Sequence, residues 1–252
     1  MTRLFLCILL LLGCNASTGR EASARPPSHE LWDALLKKHV NADGRVDYQG
    51  FVEDKDELVQ YLNALSSSAP DTSWSEQEQL AYWINAYNAF TVKLIVDNYP
   101  VESIKDLGPA ISIPTIHTVW HKKFFTIGGK DTSLDEIEHD ILRKQFNEPR
   151  IHFAINCASI SCPVLRAEAY TAHKLEEQLE NQAVVFINDP ARNIIKADKA
   201  QLSRIFKWFK GDFEKNQTLI EFINRYAVKP LHVDATLEFL SYDWSLNEMN
   251  YD

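Results

Sequence analysis

Leu80-Ala-Tyr-Trp-Ile-Asn-Ala-Tyr-Asn-Ala-Phe-Thr-Val-Lys-Leu-Ile-Val-Asp-Asn-Tyr99 decides how this chain folds. Tyr82, Trp83, Ile84, Tyr87, Phe90, Val92, Leu94, Ile95 and Val96 crowd the stretch too densely to fill a single helical face. A helix wetted on one side keeps a polar stripe; one that is apolar nearly all round belongs at the centre of a domain. Its start is marked by two overlapping capping-box registers, Ser73 with Glu76 and Ser75 with Glu78. Asn85 and Asn88 lie one turn apart inside it, two amides that a buried helix must either satisfy or use.

Before this helix, Ser28 opens a helical pattern with Leu31 and Leu35 inward, which Asn41-Ala-Asp-Gly44 breaks. Asn41, Asp43 and Gly44 share the start of a calcium loop, but its later ligands are missing. Val46-Asp-Tyr48 reads as a short extended piece, and Phe51, Leu58, Leu62 and Leu65 recur at helical spacing.

After it, residues 111–129 turn to β-branched and aromatic types and end in Gly128-Gly129, a hairpin or strand-end signal. Ser133 with Glu136 caps a helix whose inner face is Leu134, Ile137 and Ile141. Residues 150–156 alternate, with Ile151, Phe153 and Ile155 on one face, and predict a strand that ends at Cys157. A long helix follows from Thr171 to Phe186, then a capped helix from Thr218 with Glu221, and a last strand over residues 236–240. Helices and strands interleave without strict βαβ alternation. The expected fold is therefore α+β: one domain over residues 28–252, a central apolar helix packed with a mostly antiparallel or mixed sheet and surrounding helices.

Composition bounds the function. Of 252 residues, 45% are hydrophobic and 24% charged, enough apolar material for one large core. Lys and Arg number 26 against 35 Asp and Glu, a net charge of −9. No basic stripe is present to neutralise phosphates, so no nucleic-acid partner is expected.

The N-terminus reads as an export signal. Met1-Thr-Arg3 gives a positive start, and residues 4–12 form an apolar run whose helical rise of about 14 Å is under half a bilayer core. Leu11-Leu-Gly-Cys14 resembles the lipobox of bacterial lipoproteins. The resemblance implies a signal peptide over residues 1–13 and lipidation of Cys14 with diacylglycerol and a fatty acyl chain such as palmitate. Residues 14–27, small and polar, then serve as a tether. Two or more acyl chains anchor durably. Simple secretion, with cleavage after Ala16 or Ser17, is the alternative. Asn15, not Asp, follows the cysteine and favours the outer membrane over the inner. The expected location is the bacterial cell envelope, on the periplasmic side, with the membrane as partner through the N-terminal lipid. A protein or small-molecule partner is not readable.

Five blocks carry a further resemblance: Ala81-Tyr-Trp-Ile-Asn-Ala-Tyr-Asn-Ala-Phe90, Ser133-Leu-Asp-Glu-Ile-Glu-His139, Ile151-His-Phe-Ala-Ile-Asn-Cys-Ala-Ser159, Ser203-Arg-Ile-Phe-Lys-Trp208 and Ser241-Tyr-Asp-Trp-Ser-Leu-Asn247. In this order they resemble the family known as domain of unknown function 547, across residues 47–247. The resemblance implies one domain and delivers no activity. It also implies that Cys162 is replaced by serine in plant members while Cys157 is kept, which draws interest to Cys157.

With Cys7 in the signal and Cys14 lipidated, the folded domain keeps Cys157 and Cys162. Cys157 follows the predicted strand and enters a small, turn-rich segment, where a thiolate needs a stabilising partner. His139 and His152 are the candidate imidazoles, Asn88 or Asn85 the candidate orienting amide, and Glu138 a candidate carboxylate. This is the arrangement of a Cys-His hydrolase or transferase. Glu138 also has a plainer reading, a helix-surface pair with Arg143 or Lys144.

The second reading is a Cys157–Cys162 disulfide in an oxidising envelope, worth about 2–3 kcal/mol for so short a loop, in a non-catalytic binding or scaffolding domain. Trp83, Trp120, Trp208 and Trp244 would then be its ligand platform or merely its core. A metal set of His152, Cys157, Cys162 and His139 fits no zinc spacing, so no metal is expected. No Gly-rich phosphate loop, Gly-x-Ser-x-Gly elbow or His-Glu-x-x-His helix occurs, and no cofactor is expected.

Overall fold

The structure is a computed structural model that describes residues 25–109 and 118–249. The expected signal peptide, Cys14 and most of the tether lie outside the described residues, as do residues 110–117 of the β-branched stretch.

Four helices lead: α1 (Glu30–His39), α2 (Tyr48–Glu53), α3 (Lys55–Ser67) and α4 (Glu76–Val96). Every residue of α4 from Leu80 to Val96 is buried except Trp83 and Lys93, as its all-round apolar character requires. Of the two capping registers, Ser75 with Glu78 forms the box: the Ser75 hydroxyl accepts the Glu78 N–H, and the Glu78 carboxylate accepts the Ser75 N–H. Tyr48 begins α2 instead of ending an extended piece, because Asp47 caps that helix by accepting the Gly50 N–H at 2.7 Å. Asn41 serves as a turn residue; its side-chain oxygen accepts the N–H groups of Asp43 and Arg45.

Two 3₁₀ turns (Ile104–Leu107 and Val119–His121) lead to a hairpin of β1 (Phe125–Ile127) and β2 (Lys130–Thr132). Its turn is Gly128-Gly129, with φ of +58° and +77°, angles that favour glycine. A π-helical stretch (Glu136–Leu142) runs into α5 (Arg143–Gln145), started by the expected Ser133–Glu136 box. Next come α6 (Ile151–Ala154) and α7 (Leu175–Asn188). Then follow β3 (Ile194–Lys196), β4 (Lys199–Leu202), α8 (Ile205–Trp208), α9 (Lys210–Phe213), α10 (Leu219–Asn224) and β5 (Thr236–Phe239). In the three-stranded sheet, β4 is central, antiparallel to β3 and parallel to β5. The fold is α+β, helix-rich, with two small sheets.

The strand expected over residues 150–156 is replaced by a helical turn, α6, with the chain extended again from Ile155. The reason is packing on two sides. Ile151 joins the main core built around α4, whereas Phe153 joins a second core with Phe186, Phe206, Phe213 and Phe222. A flat strand would present both to one side; the helical turn divides them and aims His152 into the seam.

The C-terminal segment closes the structure. Val46 N–H donates to the Asn247 carbonyl at 3.0 Å and Met249 N–H to the Val46 carbonyl at 2.8 Å. The buried Tyr48 hydroxyl donates to Asn247 Oδ1 at 2.8 Å. Leu246 N–H reaches the Glu102 carbonyl, and Ile160 N–H the Ser245 carbonyl. Residues 242–249 thus lace together the first helices, the 3₁₀ turns and the cysteine loop. Among the described residues no helix is long and apolar enough to cross a membrane.

Candidate functional site

Where the two cores meet, a cleft of about 790 Å³ opens, lined by Glu138, His139, His152, Cys157 and Cys162 among others. Four of the five candidate catalytic residues from the sequence therefore converge. Asn88 is absent from its lining. The Asn88 amide is spent on the backbone: Nδ2 donates to the Ala154 carbonyl at 2.9 Å and Oδ1 accepts the Asn156 N–H at 2.8 Å. Asn85 does the same for Tyr170, donating to its carbonyl and accepting its N–H. Both amides hold loop backbone against a buried helix, and the structure does not bring Asn88 together with the other candidates.

The floor of the cleft is a chain of ionisable groups. His152 is buried, its ring stacked on Phe209 at 3.9 Å between centroids. Its Nε2 lies 2.7 Å from Asp212 Oδ2, while Nδ1 is buried without a hydrogen-bond partner among the described residues. Arg143 grips the same carboxylate, Nε to Oδ2 at 2.6 Å and Nη2 to Oδ1 at 3.2 Å, and Nη1 donates to His139 Nδ1 at 2.9 Å. That bond leaves His139 with its proton on Nε2, 3.6 Å from Asp135.

Burial would raise the Asp212 carboxyl, but hydrogen bonds from His152 and Arg143 outweigh it and hold it far below the usual carboxylate range. Burial lowers His152 and the neighbouring Arg143 charge lowers it further, against the pull of Asp212. His139 is lowered as well, first by burial, with Arg143 adding to it and Asp135 opposing. Both imidazoles are therefore biased toward the neutral form.

Glu138 behaves in the opposite sense. It sits on the π-helical stretch, a local geometry frequent at functional sites. The Tyr87 hydroxyl donates to its Oε2 at 3.3 Å. Cleft water still reaches part of the side chain, yet protein surrounds the carboxyl closely. Burial pushes it up to about 7, against the Arg143 charge and the Tyr87 hydrogen bond. The surface pairing expected as its plainer alternative does not form: Arg143 pairs with Asp212, and Lys144 with Asp140.

Cys157 and Cys162 are bonded to each other, with Cα atoms 6.2 Å apart. In this state Cys157 is no free thiol, and the Cys-His nucleophile expected from the sequence is masked. The same bond removes both sulfurs as separate metal ligands; among the described residues no cluster of three or more His, Cys, Asp or Glu could hold a metal ion. Cys157 Sγ lies 3.2 Å from the Tyr242 hydroxyl and 3.3 Å from Ser159 Oγ.

The facing wall is aromatic. Trp120 packs on Trp244 at 5.3 Å, Tyr242 on Trp244 at 4.5 Å and Trp208 on Tyr242 at 4.8 Å, with Lys105 Nζ 5.3 Å above Trp244. Trp208 is 44% exposed, unusual for so large an apolar ring unless it meets something. Of the four tryptophans read as a platform, Trp120, Trp208 and Trp244 line the cleft, whereas Trp83 packs edge-on against Tyr82 in the main core. Sequence reasoning missed Tyr87, Asp135, Asp212 and Tyr242. Tyr87 and Asp135 stand beside named candidates and Tyr242 in the Ser241–Asn247 block, whereas Asp212 carried no local signal.

A second recess of about 470 Å³ lies on the other side of Asp212. On its wall Arg150 is bound to Glu148, Glu176 and Glu180.

With that geometry in place, comparison with known proteins adds one finding. Residues 72–187 match the family described as "Protein of unknown function, DUF547", which bears out the resemblance read from the motifs. No curated protein and no solved structure matches the chain. The matched segment carries Tyr87, Glu138, His139, His152, Cys157 and Cys162; the aromatic wall from Trp208, Tyr242 and Trp244 comes from beyond it.

Proposed function

We propose, from the premise that residues 72–187 are a DUF547 segment, that the cleft is the ligand-binding and catalytic centre of an exported, lipid-anchored envelope protein. Its chemistry is proton transfer by Glu138 in a hydrolysis or group-transfer reaction. The observation that carries this reading is the convergence of Glu138, His139 and His152 in one large cleft faced by aromatic rings.

A carboxyl that titrates at about 7 is present in both forms at neutral pH. It donates to a leaving group when protonated and takes a proton from water when ionised. The Tyr87 hydroxyl fixes its orientation. The aromatic wall supplies apolar area and ring faces for the ligand, with Lys105 beside Trp244 for an anionic substituent. The disulfide favours an oxidising compartment, as the lipobox-like Leu11-Leu-Gly-Cys14 does on independent grounds.

A thiol-nucleophile reading applies to the reduced form. It is favoured by the position of Cys157 on the cleft wall beside the Tyr242 hydroxyl. The non-catalytic alternative keeps the cleft and gives Glu138 no role in turnover.

Hydrolysis of p-nitrophenyl esters and glycosides, followed from pH 4 to 9, tests the proposal. Turnover with one pH limb near 7, abolished in Glu138→Gln while the fold is kept, is the expected result. Turnover that Glu138→Gln leaves intact would remove Glu138 from the chemistry, and no turnover with any of these probes would return the cleft to a binding role. The anchor is tested apart from the chemistry. Radiolabelled palmitate is expected to enter the wild-type protein expressed in a bacterial host and not Cys14→Ala; equal labelling of both would exclude Cys14 as the acceptor.

A further inference from the structure

We infer that the Cys157–Cys162 bridge is an exchangeable redox pair. A substrate dithiol entering the cleft attacks Cys157 Sγ, and Cys162 Sγ leaves as the thiolate. The inference does not rest on Glu138.

The two sulfurs are not equivalent. Both cysteines line the cleft, but Cys157 is half-buried whereas Cys162 is only 3% exposed. An incoming thiolate therefore meets Cys157 first, and which sulfur is attacked is set largely by access.

The leaving side is prepared for negative charge. The Cys157 backbone N–H donates to Cys162 Sγ at 2.8 Å, a contact that strengthens when the sulfur becomes anionic. Arg192 spans the loop behind it, Nε donating to the Cys162 carbonyl at 2.6 Å and Nη2 to the Ile160 carbonyl at 3.0 Å. Its remaining edge pairs with Asp189, which offsets part of the charge without removing the guanidinium from the loop. A lower-pKa leaving thiol departs faster. When Cys157 is released in its turn, the Tyr242 and Ser159 hydroxyls, 3.2 and 3.3 Å from its sulfur, are placed to donate to it.

The loop does not need the bridge to keep its shape. Asn156 Oδ1 accepts the Ala158 N–H at 2.8 Å, and Asn156 Nδ2 donates to the Pro163 carbonyl at 2.7 Å. Ile160 and Ser161 donate to the Ser245 and Asp243 carbonyls, and Cys162 N–H to the Ser159 carbonyl. With so many ties, the thiols separate into a cleft that is already built. A bridge that served only to fix this turn would be redundant.

The exchange balances as follows. A substrate thiolate forms a bond to Cys157 Sγ; the Cys157–Cys162 bond breaks and its electron pair stays on Cys162. The second substrate thiolate then attacks the substrate sulfur of the mixed disulfide. This closes the substrate disulfide and releases Cys157 as thiolate. Two electrons pass from the dithiol to the pair, and the two cysteines take up the two protons that the dithiol gave to solvent.

The test uses the full chain under native conditions, with dithiothreitol as the dithiol probe that opens the bridge and oxidised glutathione as the disulfide that traps a lone cysteine, releasing one glutathione thiolate. Products are read by mass spectrometry on the peptide that carries both cysteines, and the fold by near-UV circular dichroism. The bridge is expected to open in the folded protein with the spectrum retained. Cys162→Ser should capture glutathione at Cys157, and Cys157→Ser should capture little at Cys162. Arg192→Met, if folded by the same spectrum, should slow opening about tenfold, since the loop that carries the leaving sulfur loses the guanidinium bound to its Cys162 and Ile160 carbonyls. A bridge that opens only in denaturant, equal capture in both serine variants, or an unchanged Arg192→Met rate would each overturn the inference.

Discussion

Glu138→Gln is expected to stabilise the protein at pH 8 by about 2 kcal/mol and to change little at pH 4. The carboxyl titrates at about 7 in the fold against 4.5 ordinarily. Between those values the folded state holds a proton that the unfolded chain has released. The contribution is therefore fully present below 4.5, falls as pH rises, and is lost once pH passes 7. The whole separation corresponds to roughly 3 kcal/mol; water entering from the cleft screens one side of the carboxyl and reduces it to about 2. Glutamine keeps the shape and an oxygen for the Tyr87 hydroxyl, so it removes the ionisation without opening a cavity. His139 and His152 titrate in the opposite sense, their lowered values adding stability as pH rises toward the ordinary imidazole range. The measurement is therefore the difference between variant and wild type in urea unfolding at pH 4, 6 and 8. A difference that stays flat across those values would mean the carboxyl is as well hydrated in the fold as outside it. A gain in stability paired with a loss of turnover is what a strained functional group leaves behind when it is replaced.

Phe153→Ala carries the largest expected loss, roughly 3–5 kcal/mol. Phe153 is fully buried and packs on Phe186 at 4.8 Å, Phe213 at 5.6 Å, Phe206 at 5.8 Å and Phe222 at 6.1 Å. Removing its ring leaves a cavity that four other rings cannot fill without leaving their own contacts. The neighbouring residue is His152, and Phe213 follows Asp212, so the same change loosens the His152–Asp212 pair at the cleft floor. Phe153→Leu, which keeps most of the volume, should cost about 1–2 kcal/mol. Equilibrium unfolding of the two variants decides the matter: an alanine cost near that of leucine would show that the second core is not organised around this ring.

The parts of the fold that announce themselves locally were legible in the sequence. The central helix is apolar all round, and the boxes at Ser75–Glu78, Ser133–Glu136 and Thr218–Glu221 all form. Residues 150–156 were not, because Ile151, Phe153 and Ile155 satisfy a period of two as well as a single helical turn placed between two cores. No local pattern reports that a second core exists sixty residues downstream. The same distance hid Asp212, a lone acid between Gly211 and Phe213 that bears no motif, yet binds His152 across the seam. Asn88 was ambiguous for the opposite reason: a polar residue in an apolar helix can serve chemistry or unpaired backbone, and here its amide holds the Ala154 carbonyl and the Asn156 N–H. The four candidates that share the cleft stand close together in two short blocks, Glu138-His139 and His152 to Cys157, which made their proximity legible.

The lacing by residues 242–249 also orders events in time. A chain synthesised from its N-terminus makes α1 to α4 first, but Val46, Tyr48 and the Ile160 amide find their partners only when the final segment emerges. Trp244, one panel of the cleft wall, arrives with it. The nascent polypeptide thus has its longest helix early and its cleft last.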